Sequence, residues 1–215
     1  MKALIVYSGG MDSTVLLYEY QKEIELAVSF DYGSKHARQE LEKARHNCKQ
    51  LGVKLLVVSL PFVNELFRSS LLEGQGEIPE GLYDSANMAS TVVPFRNGIM
   101  LSIAAGIAES NGLDTLLIAN HSGDHFIYPD CRTTFIESMK NAIRQGTCNG
   151  VNLMSPYCNL SKRDIALRGK KAGVDFSQTY SCYKGEPVHC GKCGTCTERR
   201  EALAGFDTTL YQPKE

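Results

Sequence analysis

At 215 residues, with 43% hydrophobic and 22% charged residues, the chain has the size and composition of one folded domain and not those of a disordered segment. Its formal net charge of −1 is scattered along the sequence and lacks the basic surplus that neutralises long stretches of nucleic-acid phosphate, so a small-molecule substrate is expected and no direct nucleic-acid partner. The longest apolar runs, such as Ala3 to Tyr7, are too short to span a bilayer, and Lys2 leads straight into a strand-like run without a signal peptide; the expectation is a cytoplasmic protein with no membrane contact.

Ala3 to Tyr7 predicts a first strand ending on Ser8-Gly9-Gly10, and Thr14 to Tyr20 follows with helix-forming character. Ile24 to Phe30 predicts a second strand closing at Asp31-Tyr32-Gly33. Ser34 to Leu51 is an amphipathic helix stopped by Gly52, and its His36 and His46 are expected to be solvated. Lys54 to Leu60 predicts a third strand, and this alternation implies right-handed crossovers and a parallel sheet. Phe62 to Leu72 reads as a short helix, and glycine-rich Glu73 to Ser90 as a functional lid or loop. A small-residue helix over about Gly98 to Ser110, a strand over Asp114 to Ala119, a polar loop over Asn120 to Arg132 and a helix over Thr133 to Gln145 follow. Ser161-Lys162-Arg163-Asp164 has the spacing of a capping box and starts a helix reaching about Lys171. Residues 1–175 are expected to form the nucleotide-binding and catalytic domain, with 176–215 a C-terminal metal-binding segment packed on it.

Ligands of open α/β sheets bind beyond the carboxyl ends of the strands, where Ser8-Gly9-Gly10-Met11-Asp12-Ser13 falls. Glycines let backbone N–H groups approach an anion closely, and the following helix N-terminus adds partial positive charge. Ser8, Ser13 and Thr14 supply hydroxyls. Asp12 would repel phosphates unless a cation intervened, so it reads either as a helix cap or as a partner of Mg²⁺. No Gly-Lys-Ser/Thr follows, so the loop is not a Walker A motif. The plainer alternative is a Gly-Gly turn that merely joins strand to helix.

Of the eight cysteines, Cys48, Cys131, Cys148 and Cys158 are dispersed, whereas Cys182, Cys190, Cys193 and Cys196 crowd into the tail. Such clustering in a cytoplasmic chain points to metal, and four thiolates satisfy a closed tetrahedral Zn²⁺ site with Gly191 and Gly194 allowing tight turns. His189 is the one alternative ligand nearby. Thr197 to Ala204 has the look of a helix behind the knuckle.

The Ser8 to Ser13 loop resembles that of the PP-loop ATP pyrophosphatases, which cleave ATP to AMP and pyrophosphate. Together with Phe30-Asp31-Tyr32-Gly33, Val93-Pro94-x-Arg96-Asn97, Tyr128-Pro129-Asp130-Cys131-Arg132 and the cysteine tail, it is similar over nearly the whole chain to the 7-cyano-7-deazaguanine synthase family of the queuosine pathway. The resemblance implies a Rossmann-like, adenine nucleotide α-hydrolase-like fold with a small zinc knuckle. It implies ATP-dependent conversion of 7-carboxy-7-deazaguanine and ammonia to the nitrile through adenylated intermediates. Ser8 to Thr14, with Asp31, would then hold the nucleotide with Mg²⁺. Asp12, Arg96 and Lys162 would serve catalysis, and Arg96, Asn97, Asp124, Asp130 and Arg132 the deazapurine acid. Asn97 could equally cap its helix, Lys162 could equally be a solvated surface lysine, and Asp130 to Arg132 could be a salt-bridged loop. Phe95 stands where the family pattern has glycine, which bears on the pocket near Arg96. A homodimer is expected, as the commonest closed assembly. Two other functions fit parts of the pattern: tRNA sulfur transfer through a Cys131 persulfide, and a zinc-stabilised nucleotide-binding module without catalysis.

Overall fold

The computed structural model describes residues 1–213. Five strands, β1 (Ala3–Val6), β2 (Ile24–Asp31), β3 (Lys54–Ser59), β4 (Thr115–Leu117) and β5 (Asn152–Met154), form one parallel sheet in the order β3-β2-β1-β4-β5. The helices are α1 (Met11–Glu19), α2 (Ala37–Leu51), α3 (Pro61–Leu66), α4 (Ser85–Met88), α5 (Arg96–Ser110), α6 (Thr133–Gly146), α7 (Lys162–Ala172) and α8 (Gly194–Ala202). Alternation along β1 sends Leu4 into a core shared with α5 and α6, and Ile5 into one shared with α1, α2 and α7. The α/β parallel sheet with flanking helices is therefore the fold read from the sequence.

Both faces depend on close packing. A Cβ at Gly169 of α7 would meet Val15 of α1 at 2.5 Å, so only glycine lets these two helices approach as they do. Ser161 caps α7 as its spacing predicts, accepting from the Asp164 N–H while the Asp164 carboxylate accepts from the Ser161 N–H. The tail belongs to both cores: the four clustered cysteines pack with the first, and Ala202 and Leu203 with the second.

Three expectations differ from what is observed. The helix read over Phe62 to Leu72 ends at Leu66, with Phe67 already extended, and the Ser69 hydroxyl then turns the chain by accepting from the Leu71 N–H. Leu71 and Leu72, fully buried, then enter the core from a loop. The edge strand β5 has no counterpart in the sequence reading, since three residues give no usable periodicity. Lastly, α1 begins at Met11, so the second half of the glycine loop is already helix.

Phe95 sits at the N-cap of α5 with φ +53°, the one non-glycine residue in the left-handed region among the described residues. Glycine suits this position for its backbone, and the aromatic side chain makes little of the pocket: it is 58% exposed, lies over Gly98 and meets Phe135 edge-on. Phe95→Val puts a β-branched residue in that conformation and should lower unfolding free energy by about 1–2 kcal/mol. Phe95→Gly, which exchanges backbone strain for a partly exposed ring, should stay within about 1 kcal/mol of the parent in denaturant titration.

Candidate functional site

The chain leaves β1 for β2 on one side and reaches β4 on the other, so the carboxyl ends of β1 and β4 flank the crevice where ligands of such sheets bind. A cavity of about 220 Å³ opens there. Its floor is the glycine loop: Ser8, Gly10, Met11, Asp12 and Ser13 line it. The loop is held by its own hydroxyls, with the Gly10 N–H donating to Ser8 Oγ at 3.0 Å and Ser13 Oγ donating to the Gly10 carbonyl at 3.2 Å. Gly9 and Thr14 do not reach the cavity. Gly9, at φ +86°, lies so close to α2 that a Cβ would overlap the Glu40 carbonyl, and Thr14 is buried against the Tyr7 hydroxyl and the Gly10 carbonyl.

Asp12 does not cap α1. The helix N-cap is Gly10, and the Asp12 carboxylate instead receives the Lys162 ammonium at 2.5 Å. Lys162 enters from the first turn of α7 with only 17% of its side chain exposed, which separates it from a solvated surface lysine. Burial works against its charge, but Asp12, Glu198 and Asp124 outweigh burial and raise its pKa. The other Asp12 oxygen, Oδ1, is buried without a hydrogen-bond partner among the described residues. A hard carboxylate oxygen left unsatisfied beside a phosphate loop fits a magnesium ion.

His121, Glu198 and Tyr83 complete this end of the site, and none of them is singled out by the sequence reading. His121 follows β4 and is almost wholly buried. Its Nδ1 accepts from the Gly123 N–H at 3.1 Å, so in the neutral ring Nε2 carries the hydrogen and faces Asp124 Oδ1 at 3.4 Å. Asp124 also accepts from the Tyr83 hydroxyl at 2.9 Å. Burial alone would raise the Asp124 carboxyl, but His121, Lys162 and Tyr83 outweigh it and hold it below the ordinary carboxylate range. Burial raises Glu198 against the pull of the same lysine. A polar loop after a strand was the signal for His121; nothing local signals Glu198, which the folding of the tail delivers.

The opposite wall carries Arg96, from the first turn of α5. Its Nη1 donates to the Tyr32 hydroxyl at 3.0 Å, and its guanidinium stands 5.6 Å from the Tyr32 ring centre. Asn97 lines the cavity too, and it is not the helix cap. Its N–H donates to Asp130 Oδ2 at 2.8 Å and its side-chain amide to the Asp130 carbonyl and Cys131 Sγ, so Asp130 closes the end of α5 from outside. Asp130 and Arg132 lie off the cavity. Arg132 is exposed and donates to the His125 carbonyl, with no ion pair to Asp130 among the described residues. Asp31 likewise lies off it, turning the chain by accepting from the Gly33 N–H. His46 is exposed as expected, but His36 is not: it is 3% exposed, stacks on Tyr183 and lines the cavity. Burial, then Arg96, pushes its imidazole down to about 3, so it stays neutral.

Cys131 lines the cavity but is buried, and burial raises its thiol well above the ordinary value, the reverse of what a persulfide carrier needs.

Below the site, Cys182, Cys190, Cys193 and Cys196 are buried with their sulfur atoms all within 4.8 Å of one another, a cluster that could hold a metal ion. The N–H groups of Lys192 and Cys193 donate to Cys190 Sγ at 3.4 and 3.3 Å, the surroundings of a thiolate. Four soft sulfur donors fit Zn²⁺ and leave it no open position. His189 is engaged elsewhere: its Nε2 accepts from the Ser181 N–H at 3.1 Å. The α8 helix starts at this cluster and carries Thr195 to the cavity wall and Glu198 to Lys162.

No described helix is long and apolar enough to cross a membrane. A structure titled NMN synthetase from Francisella tularensis shares the fold, with a TM-score of 0.51 at 13% identity over 86% of this chain and 68% of that one. Curated relatives named 7-cyano-7-deazaguanine synthase are far nearer in sequence. The Porphyromonas gingivalis (strain W83) protein is 57% identical over 213 residues, 98% of this chain and 97% of its own. The Desulfotalea psychrophila protein is 50% identical over 214 residues, 97% and 98% of the two chains. Residues 2–207 match the family described as Queuosine biosynthesis protein QueC, and the chain belongs to that family.

Proposed function

We propose that the protein is a 7-cyano-7-deazaguanine synthase, an ATP-dependent carbon–nitrogen ligase that converts 7-carboxy-7-deazaguanine and ammonia to the nitrile in queuosine biosynthesis. The observation that carries the reading is one cavity lined by the glycine loop, Arg96, Asn97 and Lys162 together. Phosphates and a carboxylate substrate can meet there.

A carboxylate accepts ammonia poorly because oxide is a poor leaving group. Attack of a substrate carboxylate oxygen on the α-phosphorus of ATP expels pyrophosphate and makes that oxygen part of AMP, which leaves readily. Ammonia then gives the amide. A second adenylation, now on the amide oxygen, followed by loss of AMP gives the nitrile. The loop N–H groups and the start of α1 would hold the outer phosphates, and Arg96 would orient the acid through its planar fork. Lys162 would place positive charge where negative charge builds up on the departing pyrophosphate. A magnesium ion at Asp12 would supply further neutralisation of the phosphates, and a zinc ion held by the four cysteines would be structural.

Mixing the protein with ATP, Mg²⁺, ammonia and the 7-carboxy compound should yield two AMP per nitrile, measured by chromatography; absence of acid-dependent AMP from intact, metal-loaded protein would sink the reading. Lys162→Met should lower acid-dependent exchange of labelled pyrophosphate into ATP by at least about 100-fold. It should also destabilise the fold by about 3 kcal/mol, because Asp12, Asp124 and Glu198 lose their shared cation. One zinc per chain is expected by elemental analysis, and its chelation should lower the thermal midpoint and the activity together.

A further inference from the structure

Amide formation leaves a proton that nothing above removes. When ammonia bonds to the carbonyl carbon, the nitrogen becomes cationic. The carbon–oxygen bond to AMP breaks with its electron pair on the AMP oxygen, and an N–H proton must go elsewhere. Lys162 and Arg96 are full cations and cannot take it, and Asp12 and Asp124 are committed to cations or hydroxyls.

Glu40, on the first turn of α2, is different. Its backbone carbonyl packs on Gly9, and its carboxyl turns into the cavity, with Oε1 lying 3.7 Å from where a Cβ on Gly10 would stand. It therefore faces the open side of the phosphate loop, on the wall shared with Arg96. The side chain is 20% exposed, and among the described residues no hydrogen bond engages the carboxylate. His36 Nε2, one turn earlier, lies 3.8 Å from its carboxylate. That imidazole is neutral, packed between Tyr32 and Tyr183, and offers no countercharge.

Resting on the synthase reading, we propose that Glu40 is the catalytic base of amide formation, taking the N–H proton from the ammonia nitrogen as AMP departs and passing it to solvent through the open cavity. Burial pushes Glu40 up to about 8 even though Arg96 pulls the other way. A base is most effective when its pKa lies near the working pH. The groups that face it are His36, Tyr32 at the end of β2, Arg96 from α5 and Tyr183 from the tail. The reactive form is the carboxylate, so the rate it governs rises with pH and levels off above about 8.

Adenylation precedes nitrogen attack, and this separates the proposal from a purely structural role. Glu40→Gln keeps the shape and cannot accept the proton. In this variant, acid-dependent pyrophosphate exchange should stay within about threefold of the parent while ammonia-dependent amide formation falls by about 100-fold or more. At constant free ammonia, the rising limb of the pH profile should vanish in Glu40→Gln and persist, at reduced rate, in Glu40→Asp. Hydroxylamine, whose less basic nitrogen gives up its proton to water more readily once bonded to carbon, should recover part of the lost rate as the hydroxamate. The proposal is overturned if exchange and amide formation fall in parallel, or if amide formation is unchanged. A parent protein without acid-dependent exchange would overturn the synthase reading itself, a result distinct from either.

Discussion

The Lys162 ammonium, 2.5 Å from Asp12 and 3.5 Å from Glu198, joins three parts of the chain that sequence separates widely. Asp12 belongs to the first helix after the first strand, Lys162 to the capped start of α7, and Glu198 to the helix that grows out of the cysteine cluster. With Asp124 close by, three carboxylates share this lysine, so its removal would leave mutually repelling anions in a partly buried space. The same cation that balances them is aimed at the phosphate loop. The charge distribution around an incoming nucleotide is thereby set by fold-level contacts as much as by the loop.

What could be read from the chain follows from how local each signal is. The strand-loop-helix at Ser8 to Ser13, the Gly52 stop and the Ser161 capping box are written in a few consecutive residues, and the structure shows these elements in the expected order. The cysteine cluster was legible for the same reason, since three of its members fall within one short run. Glu198 and His36 were not. Each is an ordinary charged or polar residue on an amphipathic helix or beside one, and only packing turns it inward. Asn97 shows the intermediate case: its place at a helix start is local, but the Asp130 carboxylate that occupies its N–H lies 33 residues downstream.

Phe95 illustrates how a departure from a pattern is interpreted through backbone geometry. The left-handed φ that brings the chain into α5 at this position would suit glycine, and the Phe95 ring points to Gly98 and Phe135, away from the cavity lining. The wall near Arg96 is made by Tyr32, Tyr128 and Tyr183, which the substitution does not touch. Aromatic rings there exclude water while their hydroxyls stay paired, Tyr128 with Thr91 and Tyr183, and Tyr32 with Arg96. Burial in such a wall disfavours charge, which is why His36 is held neutral, with Arg96 adding to the effect, and why Glu40 is driven toward its acid form against the pull of Arg96.

The segment 73–90 connects this wall to the metal-binding tail. It is not a free-standing flap. The Gly81 N–H donates to the Lys192 carbonyl at 2.8 Å, Glu80 pairs with Lys184 and bridges to Cys193, and fully buried Met88 fills the space that a Cβ on Gly194 would take. From this footing the segment places the Tyr83 hydroxyl on Asp124. Its anchorage depends on residues 184 to 194 holding their shape, which a metal held by the four cysteines would impose. A metal ion held by these four cysteines would therefore bear on the cavity twice: through Glu198, which α8 carries to Lys162, and through Tyr83, whose segment is anchored beside the cluster.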